Sequence, residues 1–121
     1  MQSSLEDEAH AVALKNLGRV LLWAGKHEEA ERLSEDGETH FQKATLIQRA
    51  GDNKAALVHY REAARLAPLN PAIHQAYGVL LSELGRKAEA LVELESAIRL
   101  DRTRAGVYYD LGIVLEDLGQ A

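Results

Sequence analysis

The chain contains no cysteine. That excludes a disulfide framework, a thiolate zinc site and a cysteine nucleophile in one step. It leaves oxidising and reducing compartments equally open. Proline occurs twice and aromatic residues make up only 5%, so a core must be built mostly from Leu, Ala, Val and Ile. Basic residues are outnumbered, 14 Lys and Arg against 19 Asp and Glu, for a formal charge of −5. Nucleic-acid affinity is built from Lys and Arg neutralising phosphates, so no nucleic-acid partner is expected. Long apolar runs are missing too. The longest covers residues 20–24, against the ~20 residues a membrane helix needs, so membrane insertion is not expected. The opening MQSSLEDEAH is acidic and shows no apolar stretch of a signal peptide. The default address is therefore cytoplasmic.

What is present fits one soluble globular domain over residues 1–121. Apolar residues make up 46% and charged residues 27%, which is not the balance of a disordered chain. Folding a chain of this size buries roughly two-thirds of its unfolded surface.

Small residues recur at a fixed interval. Gly51, Gly85 and Gly119 are spaced by 34, as are Ala44, Gly78 and Gly112. Ala56 and Ala90 share that interval, and so do Ala63 and Ala97. Upstream, Gly18, Gly25 and Ala30 stand 26 residues before their counterparts, so the first repeat is eight residues short. One period of this length signals stacked supersecondary units.

Within a period the pattern reads as two helices. PAIHQAYGVLLSELG sets Ile73, Tyr77, Leu80, Leu81 and Leu84 at helical spacing. Asn70 suits the N-cap and Pro71 the first helical position. Gly85 suits the C′ position. RKAEALVELESAIRL resumes the pattern with Ala90, Leu91, Leu94, Ala97 and Ile98. The preceding unit does the same, with Asp52 or Asn53 as a cap and Pro68 as a stop. No segment alternates apolar and polar residues between turns, so no strand is expected.

Two antiparallel helices every 34 residues resemble the tetratricopeptide repeat, whose signature runs W-x2-L-G-x2-Y, then A-x3-F, then Pro. Here it reads Leu14-x2-Leu17-Gly18-x2-Leu21, His40-x2-Lys43-Ala44-x2-Ile47 and Ala56-x3-Tyr60. It continues as His74-x2-Tyr77-Gly78-x2-Leu81 and Tyr108-x2-Leu111-Gly112-x2-Leu115. The resemblance covers residues 11–121. It implies an all-α, right-handed superhelical solenoid of antiparallel helix pairs, about three and a half repeats. The units would be 11–36 (short), 37–70, 71–104 and the half unit 105–121. Small residues at Gly18, Ala44, Gly78 and Gly112, answered by Ala30, Ala56 and Ala90, would let paired helices approach. Leu21, Ile47, Leu81 and Leu115 would fill the seams.

Two places depart from the pattern. Between Gly25 and Gly51 there is little room for two helices and a turn. One continuous helix over 27–49 would satisfy the stripe Ala30, Leu33, Gly37, Phe41, Ala44 and Ile47. A short helix ending near Leu33, with Ser34 or Asp36 capping the next, is the alternative. After Gly119 the second helix of the last unit is missing, leaving Leu111, Leu115 and Leu118 without their partner. Either the chain belongs to a longer repeat protein, or this helix pairs with a second copy in a homodimer.

Chemistry of catalysis or metal binding is not indicated. No two of His10, His27, His40, His59 and His74 stand at i, i+4. No glycine-rich phosphate loop follows a strand, and no serine lies in a nucleophile elbow. No cofactor and no enzymatic activity are expected.

The resemblance instead implies a groove lined by the first helix of each unit, holding a peptide or protein segment. Its positions map to Val12, Lys15, Asn16, Arg19, Leu22 and Trp23, then Glu38, Phe41, Gln42, Thr45, Gln48 and Arg49. The third unit gives Ala72, Gln75, Ala76, Val79, Ser82 and Glu83. The last gives Gly106, Tyr109, Asp110, Ile113, Glu116 and Asp117. Such a groove is basic and aromatic at its start and acidic at its end, which would orient a bound segment. Trp23 is the sharpest anchor by residue type. Lys15 matches one position of the family's carboxylate clamp for chaperone C-termini. Arg19 stands where that clamp has Asn, and Ala72 and Ala76 where it has basic residues, so chaperone binding is not expected. The function implied is a non-catalytic adaptor or scaffold module. The alternatives are a substrate-recruiting domain of an enzyme continuing past residue 121, and an RNA-binding helical repeat, which the acidic charge opposes.

Overall fold

The computed structural model describes the backbone of residues 2–119 and the side chains of residues 24–119. Five helices follow one another: α1 (Gln2–Arg49), α2 (Asn53–Leu66), α3 (Pro71–Glu83), α4 (Lys87–Leu100) and α5 (Ala105–Asp117). No strand occurs among the described residues. The chain divides into two compact units, Met1–Arg32 and Leu33–Ala121.

In the first unit the helix passes through Gly25, the upstream counterpart of the turn residue Gly51. Gly25 has no positive φ and open space around it. An interior glycine costs about 1 kcal/mol relative to alanine, and GKHEEAERL offers no Ser, Thr, Asp or Asn to cap a new helix. His27 Nε2 and Glu31 Oε1, one turn apart at 3.0 Å, add local support. The helix over 27–49 is thus continuous. The helix pair expected in a shortened first unit is not formed, because a pair needs the break that Gly25 does not make. Ala30, expected to meet a partner helix like Ala56 and Ala90, is exposed.

The second unit carries the core. Ala44 of α1 packs with Ala56, Leu57 and Tyr60 of α2, Tyr77, Leu80 and Leu81 of α3, Ala90, Leu94 and Ala97 of α4, and Val107 and Val114 of α5. Small residues set the helix spacing. A Cβ on Gly78 would stand 2.9 Å from Leu94 Cγ and 3.3 Å from the Ala90 carbonyl oxygen. Gly37 is buried in the same way, with its would-be Cβ 2.6 Å from Ala67 Cβ. Gly112, in the register of Gly78, faces open space among the described residues. Leu111 and Leu118 nevertheless pack partly against the core.

The turns are closed by main chain. Gly51 and Gly85 adopt φ of 95° and 83°, which only glycine takes without strain. At the second of these, Gly85 N donates to Ser82 O and Arg86 N to Leu81 O, the paired bonds of a Schellman motif. Gly51 N to Gln48 O and Asp52 N to Ile47 O repeat it. Asp52 then caps α2 by accepting from Ala55 N, and Asn70 caps α3 by accepting from Ala72 N ahead of Pro71.

Outside the apolar core, two histidine contacts tie helices together. His40 and His59 join α1 to α2, their Nδ1 atoms 3.2 Å apart. His74 on α3 sits between Glu93 Oε2 of α4, at 2.6 Å, and the Pro68 carbonyl, at 2.7 Å. The Glu93 hydrogen bond, seconded by the Pro68 carbonyl, holds the His74 imidazole above its usual pKa against the opposing effect of burial.

Candidate functional site

The end of α1 and helices α3 and α5 are the first helices of successive repeats, and hollows open along them. The first, about 380 Å³, is lined by Glu38, Phe41, Gln42, Thr45, Leu46 and Arg49. The second, about 350 Å³, is lined by Phe41, Gln48, Ala72, Gln75, Ala76, Val79 and Arg104. The third, about 220 Å³, is lined by Val79, Ser82, Glu83, Leu94, Asp110, Ile113 and Val114. Phe41 borders the first two and Val79 the last two. Neighbouring hollows thus share a lining residue and follow one another along these helices.

Most of its lining can be expected from the repeat register, but not all. Leu46, Arg104 and Val114 enter from outside the mapped positions, and Leu94 comes from a second helix, α4. Leu94 packs directly on Gly78, where no side chain holds it off. Tyr109 is 72% exposed and, like Gly106, Glu116 and Asp117, lines none of the three hollows. Asp117 Oδ2 is held by Lys87 Nζ at 2.7 Å, and that ammonium also donates to Ser82 Oγ at 2.9 Å. The side chains of Val12, Lys15, Asn16, Arg19, Leu22 and Trp23 lie outside the described residues.

A polar relay stiffens the groove. Arg104 Nε donates to Gln75 Oε1 at 3.0 Å, and Gln75 Nε2 donates to Asp110 Oδ2 at 3.2 Å. Arginine can only donate and a carboxylate only accept, so the Gln75 amide has one consistent orientation. At the other end Tyr60 OH donates to Gln48 Oε1 at 2.7 Å, and the Phe41 and Tyr60 rings lie 6.0 Å apart. The first hollow carries both signs, Glu38 and Arg49; Arg104 borders the second, and Glu83 and Asp110 the third.

Among the described residues no three His, Asp or Glu side chains converge to hold a metal ion, and no helix is long and apolar enough to cross a membrane.

The helix pairs, their 34-residue period and their glycine turns define a helical-repeat protein. A family model described as tetratricopeptide repeat matches residues 3–113, and the chain belongs to that family. Its fold is the family's all-α solenoid. Solved structures agree at the level of fold. The crystal structure of MamA is 22% identical with a TM-score of 0.67, over 70% of this chain and 50% of that one. The second tetratricopeptide domain of Spaghetti (RPAP3), bound to the HSP90 peptide SRMEEVD, is 16% identical with a TM-score of 0.71, over 76% and 85%. YrrB, described as having an unusual peptide-binding site, is 20% identical with a TM-score of 0.67, over 70% and 44%. The chain thus spans about half the length of the MamA chain. No curated protein sequence matches it significantly.

Proposed function

We propose that the chain is a non-catalytic interaction module that holds an extended peptide or protein segment in the groove along α1, α3 and α5. The succession of three hollows, neighbours sharing Phe41 or Val79, carries this reading. A row of adjoining hollows suits successive side chains of an extended segment. Phe41, Gln42 and Arg49 would contact one end of the segment, Gln75 its middle, and Glu83 and Asp110 the other end. Tyr109 would add an exposed aromatic beside the third hollow, and Asp117 would act through its ion pair with Lys87. Support comes from the fold neighbour that was solved with a bound peptide. That peptide is acidic, whereas Ala72 and Ala76 leave this groove without the basic side chains a carboxylate clamp requires. Lys15, Asn16, Arg19 and Trp23 form a further candidate set on α1, and a Lys15/Arg19/Trp23 triple alanine variant should lose partner capture while keeping its helical circular dichroism.

The test of the groove is a selection from phage-displayed nonapeptides, followed by amide chemical-shift mapping of the best binder. Shifts should fall on residues 37–49, α3 and α5. Shifts confined to α2 and α4, or a selection that yields no binder, would overturn the reading.

A further inference from the structure

The hollow between α3 and α5 has an apolar floor and an acidic rim. Leu94 and Val114, at 0% and 1% exposure, form the floor. Val79 and Ile113 form walls, and Glu83 and Asp110 line it from the two helices. Among the described residues neither carboxylate has a cationic partner: Asp110 accepts one bond from the neutral Gln75 amide, and Glu83 takes part in no ion pair. Lys87 reaches this lining through Ser82 and Arg104 through the Gln75 amide, and neither side chain lines the hollow itself. Lys87 is held by Ser82 and Asp117, and Arg104 by Gln75.

We propose that this hollow receives a lysine or arginine side chain of the bound segment. The methylene stem lies on Val79 and Ile113, and the cationic head sits between Glu83 and Asp110. This rests on the groove reading above and adds the chemistry of its occupant. A long basic side chain matches both halves of the hollow, since its stem covers apolar surface while its head stays with polar groups. Two carboxylates beside an apolar floor act through a lower effective dielectric than water, so a cation is favoured there and a glutamate repelled. The chain already shows the same chemistry at the edge of this hollow, where the Lys87 ammonium rests on a serine hydroxyl and a carboxylate.

The test uses the full chain and fluorescein-labelled nonapeptide mixtures, each fixed in turn at one position as Lys, Arg, norleucine or Glu. At one position the Lys or Arg mixture should bind about tenfold tighter than the norleucine mixture, an isostere of the stem without the charge. The Glu mixture should be weakest, and the advantage should shrink as salt is raised. Glu83→Gln and Asp110→Asn should each reduce the Lys preference about fivefold, with far-UV circular dichroism unchanged. Equal binding of Lys and norleucine mixtures, or a preference that survives in the double variant, overturns the basic-side-chain site and leaves the groove standing. Binding of no mixture overturns both.

Discussion

Gly37 of α1 lies so close to Ala67, at the end of α2, that a methyl group on it would stand 2.6 Å from the Ala67 Cβ. The helix is continuous at this point, so glycine is there for the approach and not for a turn. Gly37→Ala gains about 1 kcal/mol of helix propensity and loses about 1–3 kcal/mol to overpacking. The expected result is a lower urea midpoint, partly restored by Ala67→Gly. A more stable Gly37→Ala protein would show that α1 and α2 are not in this contact.

Gly78 and Gly112 occupy the same place in successive repeats and should respond with opposite sign. Gly78→Ala drives a methyl into Leu94 and should destabilise by about 1–3 kcal/mol. Gly112→Ala meets nothing and should stabilise by about 0.5–1 kcal/mol through helix propensity. Thermal unfolding of the two variants decides it, and a loss of stability in both would show that α5 is covered.

Gly25 and Gly51 make a second such pair. Gly51→Ala places a side chain at φ 95° and should cost about 1–2 kcal/mol. Gly25→Ala should raise helicity and stability, since Gly25 is an interior helical residue. Lower helicity in Gly25→Ala would mean a turn at that position.

The His74–Glu93 contact predicts a pH dependence. His74 is raised above its ordinary 6.5 in the folded chain, so its contribution is fully present below about 6.5 and is lost as pH rises through the higher folded value. His74→Gln should therefore cost about 1–2 kcal/mol at pH 6 and less at pH 8.5. Urea midpoints of both proteins at the two pH values test this. A deficit that grows with pH contradicts the sign.

Gln75 links Arg104 and Asp110, the only polar connection from α3 to α5 among the described hydrogen bonds. Gln75→Ala should cost about 1 kcal/mol and speed amide exchange in α5 with α4 unaffected. Exchange that accelerates equally in both helices would assign Gln75 a global role instead.

The repeat was legible because its turns are chemical events within a few residues. Gly51, Gly85, Asp52, Asn70 and Pro71 each act on a neighbouring main chain, and short-range chemistry is visible in a sequence. Gly25 has the same register as Gly51 and was misleading. Its fate depends on about 1 kcal/mol of glycine cost against a capless run of helix formers. Gly37 falls in the helical stripe by its spacing, but the reason for a glycine there lies 30 positions away at Ala67. In the groove, Phe41, Gln42, Gln75 and Glu83 follow from the positions that the family resemblance maps onto this chain. Leu94 and Arg104 do not, because one stands on a second helix packed against Gly78 and the other is the cap residue of α5. The pairing of Asp117 with Lys87 joins two helices and leaves no mark in either.

Past Leu33, the main packing joins helices that follow one another in the chain: α2 with α3, α3 with α4, α4 with α5. Each loop to be closed is short, so little entropy is spent before contacts form. Folding of this part belongs in the microsecond-to-millisecond range of helical proteins with mostly local contacts. Opening can likewise begin at one helix without the rest. The α3–α4 pair, flanked on both sides, is then the slowest to exchange its amides. Helix α5, which forms one wall of the acidic hollow, can open and reclose many times during a single unfolding event.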